Sequence, residues 1–128
     1  LWLAGPNSVR DHIAPSIAAA AEAAGRPAPR VIASLPVCVT DDASGVRDTV
    51  AMILANYNDL PSYRAMLDRE GAAGPADVAI IGNEDEVTEG LAAFAAAGAT
   101  EFAAVEFTLN DEDAARTRAL LKSVRTSF

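Results

Sequence analysis

Arg30-Val31-Ile32-Ala33-Ser34-Leu35-Pro36-Val37-Cys38-Val39-Thr40 is the longest apolar, β-branched run in the first half of the chain. Pro27 and Pro29 precede it, and Asp41 and Asp42 follow it. Alternation places Val31, Ala33, Leu35, Val37 and Val39 on one face and Ile32 and Cys38 on the other. A strand that is apolar on both faces is covered on both sides, which predicts a parallel sheet or a barrel. Pro36 lacks the N–H that a ladder needs, so it argues for an edge, a bulge or a break. Such a strand needs parallel neighbours, yet only Glu101 to Phe107 reads as a second convincing strand.

Before this run, Leu1-Trp2-Leu3-Ala4 reads like the end of a strand that begins abruptly, as if residues ahead of it had been removed. Gly5-Pro6-Asn7-Ser8 is a turn in which Asn7 or Ser8 can cap the next helix. Val9, Ile13, Ile17, Ala20 and Ala24 recur at helical spacing. Pro15 predicts a kink or a fresh helix start, and Gly25 a stop. After the run, Asp41 and Asp42 cap a helix reaching about Tyr57, with Val46, Val50, Ile53, Leu54 and Tyr57 as its buried stripe. Asn58 and Asp59 break it. Ser62 to Glu70 is a short helix stopped by Gly71, and Gly71 to Pro75 reads as a small flexible hinge. Asp77 to Ile81 is either a strand or a helical turn, too short for periodicity to decide.

Asn83 and Glu86 stand at capping-box spacing, and the acids around them suit the positive end of a helix dipole. That helix runs to Ala97 along Val87, Leu91 and Phe94 and stops at Gly98. Beyond Phe107, Asn110 or Asp111 caps a last helix, with Leu120, Leu121 and Val124 inward and Arg116, Arg118 and Lys122 outward. Strands alternating with helices define an α/β chain, and 128 residues suit one domain.

The formal net charge of −8 disfavours nucleic acid and anionic membranes as partners. No stretch is apolar for the roughly 18 residues of a membrane span, and no signal peptide is visible, so a cytoplasmic protein is expected. Cys38 is the only cysteine, which excludes an internal disulfide. Within an apolar strand it reads as a buried, inert thiol rather than a nucleophile. His12 is the only histidine and reads as a helix-surface residue, since a metal site would need more ligands of its kind.

The chain has no Gly-rich phosphate loop, no Cys-x-x-Cys pair and no Gly-x-Ser-x-Gly elbow. Glu84, Asp85, Glu86 and Glu89 form an acidic cluster, but their place in a helix's first turn makes capping the better reading. Tyr57, Tyr63 and Arg64 stand out after the long strand. The tyrosines can stack on a ring and the arginine can hold an anion; the competing reading is a packed helical hairpin whose arginine stem lies along apolar surface.

Trp2-Leu3-Ala4-Gly5-Pro6-Asn7, Ala20 to Pro27, Leu35-Pro36-Val37, Leu60 to Gly71, Ile81-Gly82-Asn83-Glu84 and Gly98 to Phe102 together resemble the C-terminal part of luciferase-like oxidoreductases. The subgroup resembled depends on the deazaflavin coenzyme F-420. The likeness runs in order along essentially the whole chain. It implies the last part of a (β/α)8 TIM barrel, about strands six to eight: Leu1 to Ala4 ends the sixth, Arg30 to Thr40 is the seventh and Glu101 to Phe107 the eighth. The first five strands, which carry most catalytic residues of the family, are absent.

The resemblance implies hydride transfer or monooxygenation with coenzyme F-420 or, alternatively, FMN, acting on a small organic substrate. It marks Trp2, Gly5 and Asn7 as cofactor-facing and Tyr57, Tyr63 and Arg64 as substrate or lid contacts; no catalytic residue and no metal ligand is carried over. Where some relatives hold a phosphate with Lys or Ser, this chain has Leu3, Ala4 and Pro6, which argues against a phosphorylated substrate. The alternative is a non-catalytic half-barrel that binds or assembles. A truncated sheet predicts a chain inactive alone, which forms a homo-oligomer or joins the missing N-terminal barrel part.

Overall fold

The β-branched run does form the central strand. In the computed structural model, which describes residues 1–124, β1 (Ile32–Val39) lies between β2 (Ile80–Gly82) and β3 (Glu101–Glu106) in the order β2-β1-β3. Both neighbours are parallel to it. The fold is a mixed α/β arrangement around this three-stranded sheet. The expected adjacency of the two long strands holds, with Ser34 opposite Ala103 and Pro36 opposite Val105.

Leu1 to Leu3 supply a further piece of parallel backbone. Trp2 bridges to Ser34; the Leu3 N–H donates to the Ser34 carbonyl at 3.2 Å, and the Ser34 N–H to the Leu1 carbonyl at 2.8 Å. Pro36 therefore sits in the middle of the sheet rather than at an edge, but at a gap in the ladder on one side. The backbone groups of Ser34 and Thr40 point to the side shared by Leu1–Leu3 and β2. By alternation the missing N–H of Pro36 falls there too, in the interval where one partner ends and the other begins.

The first helical stretch is built in three pieces: α1 (Pro6–Ser8), a π-helical turn (Val9–Ile13) and α2 (Ala14–Ala23). Pro15 has no N–H to send one turn back. The backbone widens ahead of it, the Ala14 N–H reaching the Val9 carbonyl, and Pro15 lies in the first turn of the restarted helix. The expected cap at Asn7 or Ser8 is replaced by Gly5, which has no side chain to offer. Gly25, at φ +63°, closes the helix. Its N–H reaches the Glu22 carbonyl and that of Arg26 the Ala21 carbonyl, satisfying two terminal acceptors.

Asp42 caps α3 (Ala43–Ile53), its Oδ1 accepting from the Gly45 N–H at 3.0 Å. Val46, Val50 and Leu54 are buried, but Ile53 is 55% exposed and leaves the expected stripe. Leu54, four residues after Val50, takes the inward position. The chain then tightens into a 3₁₀ turn (Ala55–Asp59) before α4 (Pro61–Glu70). The stretch expected to be a flexible hinge is tied down: Arg64 donates to the carbonyls of Ala72 and Ala73, and Asp77 accepts from the N–H groups of Ala73 and Gly74. Both readings of Asp77 to Ile81 are realised in series, as α5 (Pro75–Val78) followed by β2.

The Asn83–Glu86 capping box forms as expected and opens α6 (Glu84–Ala96), which buries Val87, Leu91 and Phe94. Asn110 caps α7 (Asp111–Ser123). Its fully inward residues are Asp113, Ala114 and Thr117, with Leu120, Leu121 and Val124 only partly buried against the core. Among the described residues one hydrophobic cluster joins all these elements, Leu35, Val37, Val50, Leu67 and Phe94 among its fully or nearly fully buried members. No described helix is long and apolar enough to cross a membrane.

Candidate functional site

Leu3 is buried with φ +58°, the one described non-glycine residue in the left-handed region. That conformation is strained for a leucine, and it turns the chain out of its pairing with β1 into the helix at Pro6. Trp2, immediately before it, meets Tyr57 at a ring separation of 6.3 Å, and Tyr57 meets Tyr63 at 4.7 Å, both edge to face. Three of the six site residues expected from the sequence thus form one aromatic row, drawn from the first residues, the 3₁₀ turn and α4.

The other three are used differently. Arg64 does not present a free guanidinium to a ligand: it bonds Asp68 at 2.9 Å, the Ala73 carbonyl at 2.9 Å and the Ala72 carbonyl at 2.7 Å. It is the strut of the 71–75 loop. Gly5 is buried where a Cβ would collide with the Glu70 carboxyl. That carboxylate accepts from the Asn7 N–H at 3.1 Å and the Ser8 N–H at 2.9 Å. Glu70 therefore caps the first helical stretch from the end of α4, and the Asn7 side chain remains exposed.

A second region lies at the C-terminal ends of the strands. Thr40, Asp41 and Asp42 after β1 face Asn110, Glu112, Asp113 and Arg116 after β3 across a cleft of about 240 Å³. The chain leaves β1 toward β2 on one side while β3 lies on the other. Open α/β sheets hold their ligands at such a switch point. Here Arg116, expected to face outward, grips Glu84 through two bonds of 2.8 and 2.9 Å and Asp41 through one of 3.1 Å. Glu84, then Asp41, raise the arginine's pKa, and Arg116 holds the Glu84 carboxyl below its ordinary value. Asn110 and the buried Asp113 bond each other reciprocally, Nδ2 to Oδ2 at 2.9 Å and backbone N–H to Oδ1 at 2.8 Å. Among the described residues no group of three His, Cys, Asp or Glu side chains is arranged to hold a metal.

FMN and coenzyme F-420 both carry phosphate, which needs cations or free N–H groups. The helix starts at the C-terminal end of the sheet are already capped by Asp42, by Asn83 with Glu86, and by Asn110. Asn7 and Ser8 give their N–H groups to Glu70. Arg64 and Arg116 are engaged within the chain. The aromatic row suits a flat ring chemically, but these residues do not fit the phosphate end of either cofactor.

Cys38 is buried, and burial first, then the nearby Asp113 carboxylate, push its thiol up to about 11. That agrees with an inert structural cysteine. Local spacing gives no sign of the roles of Glu70 and Thr117 or of the surface ion pairs of Arg116. Their partners lie 62, 78 and 32 residues away. No family model matches this chain, and neither the curated proteins nor the solved structures contain a match to it.

Proposed function

We propose that this chain forms the closing part of a luciferase-like barrel, about its sixth to eighth strands, within an oxidoreductase that works with coenzyme F-420 or FMN. The observation that carries the reading is at Ser34. There a parallel partner from Leu1–Leu3 lies on one side and a parallel partner from β3 on the other, so at this level these three segments, β2 apart, stand in chain order, which suits successive strands of a barrel. β2 occupies the same side of β1 only farther along, opposite Val37 to Val39.

The role of this chain in such an enzyme is to build wall. Trp2, Tyr57 and Tyr63 supply an aromatic row beside the Leu1–Leu3 segment, while phosphate binding and the reacting groups belong to other parts of the barrel. The isolated chain is accordingly expected to show no hydride transfer with either cofactor. The test is complementation. The chain is co-expressed with the first five strand–helix units of a luciferase-like enzyme, and reduction of F-420 or FMN is followed by absorbance. Restored turnover supports the reading, and a soluble complex without turnover overturns it.

A second reading is favoured by one observation. Among the described residues, no buried side-chain nitrogen or oxygen lacks a hydrogen-bond partner, and one core spans all the elements. A fold that satisfies itself in this way suits a non-catalytic assembly module. Cooperative unfolding of the isolated chain, together with failed complementation, favours this second reading.

A further inference from the structure

The two faces of the sheet are unequally covered. On one face Ala33, Leu35, Val37 and Val39 are all fully buried. On the other, Pro36 and Cys38 of β1 are buried, but cover is incomplete. Around them, Ile32 at the start of β1 and Val105 opposite Pro36 near the end of β3 are each 39% exposed, and Ala103 is exposed beside the half-buried Ser34. The register sets Ser34 against Ala103 and Pro36 against Val105, so these side chains form one continuous strip.

The strip carries no charge, in a chain of net charge −8. Most of the surface of one copy therefore repels another copy, and the strip does not. Its N-terminal border is an exposed ion pair, Arg30 with Glu101, set where β1 and β3 begin. One positive and one negative group beside an apolar strip match their own rotated image, as an isologous two-fold contact requires. Adding a strand at the β2 side is a poorer route. Leu1 to Leu3 already cover the first half of β1 there, and Arg47 takes the outward carbonyl of Ile81 at 2.8 Å.

We propose that a second copy of this chain covers the exposed strip of this sheet face, from Ile32 to Val105. In this two-fold contact Ile32 and Val105 pack on their counterparts, and Arg30 of each copy meets Glu101 of the other. The strip is small beside the roughly 800 Å² per partner of a standard interface, so the dimer is weak and reversible. The proposal does not depend on the oxidoreductase reading.

Sedimentation velocity from 1 to 500 µM tests it. The expected result is a reversible monomer–dimer equilibrium. Val105→Lys abolishes it and leaves the circular dichroism spectrum and melting curve of the monomer unchanged. Arg30→Glu and Glu101→Arg are each monomeric alone, because each opposes like charges across the two-fold axis. Mixed together they form a heterodimer. A wild-type chain that stays monomeric at 500 µM overturns the proposal, as does a dimer indifferent to Val105→Lys. A mixture of the two charge variants that remains monomeric overturns it as well.

Discussion

Thr117 and Val39 are joined by a 2.8 Å hydrogen bond, in which the threonine Oγ1 on α7 accepts from the last backbone N–H of β1. Both residues are fully buried. A side chain from the last helix thus completes the ladder of the central strand on the side of β3, whose pairing ends at Val37. Replacing Thr117 by Val keeps the shape and strands a buried donor, which costs about 1 to 3 kcal/mol. Thr117→Ser keeps the acceptor and is expected to lose less. Urea denaturation of the two variants gives the order, and the Val39 amide in Thr117→Val should exchange its hydrogen faster than in the parent.

Glu70 serves the same purpose for the first helical stretch. Removing its carboxylate in Glu70→Ala frees the N–H groups of Asn7 and Ser8, an effect comparable to losing a helix cap, about 0.5 to 2 kcal/mol. Proteolysis near Pro6 should accelerate in parallel. An unchanged urea midpoint would show that water replaces the carboxylate at no loss.

The parts of the fold that sequence spacing announced are those whose partners are close along the chain. Asn83 and Glu86 are three residues apart and cap each other, and Gly25, Gly71 and Gly98 all take positive φ at helix ends. What spacing did not announce is held by distant partners: Glu70 on Ser8, Arg47 on Ile81, Thr117 on Val39. β2 is only three residues long, too short for any period to show. For the candidate site, residue type picked out Tyr57 and Tyr63 and the family resemblance added Trp2, and the three rings meet in a row. It also picked out Arg64, whose partners at Ala72 and Ala73 are backbone carbonyls and therefore independent of residue identity.

The backbone at Leu3 yields an inverted glycine effect. Leu3→Ala empties a fully buried site and is expected to cost about 2 to 5 kcal/mol. Leu3→Gly loses one more carbon but accepts φ +58° without strain. Glycine is therefore expected to match or exceed alanine in stability here, the reverse of its rank in a helix. A glycine variant less stable than the alanine variant by urea titration would mean that the left-handed conformation carries no strain.

Arg116 sets a pH dependence. It lowers the folded-state pKa of Glu84, so the unfolded chain binds that proton more readily. Stability from this pair is full above the ordinary carboxylate range and is lost as pH falls through the depressed folded value. Thermal melts from pH 7 down to pH 2 should show that decline. In Arg116→Ala the slope should be shallower. Arg116→Lys should not restore it, because an ammonium cannot make the paired bonds to Glu84.

Cys38, with its thiol raised to about 11 and its side chain buried, should resist alkylation by iodoacetamide at pH 8 while the chain is folded and react promptly in urea. Rapid modification of the native chain would reveal an opening of the sheet beside α7.

Arg47 acts as a terminator. Its guanidinium bonds the Ala76 carbonyl at 3.0 Å and the Ile81 carbonyl at 2.8 Å, occupying an outward acceptor of β2. Strand-by-strand polymerisation needs each unit to recruit the next on one flank and be recruited on the other. A unit with one flank stoppered can join a growing row but cannot pass the growth on. Fibrils built by edge-to-edge stacking are thereby starved at their second step, and substituting Arg47 by a short apolar residue is the change that would reopen that route.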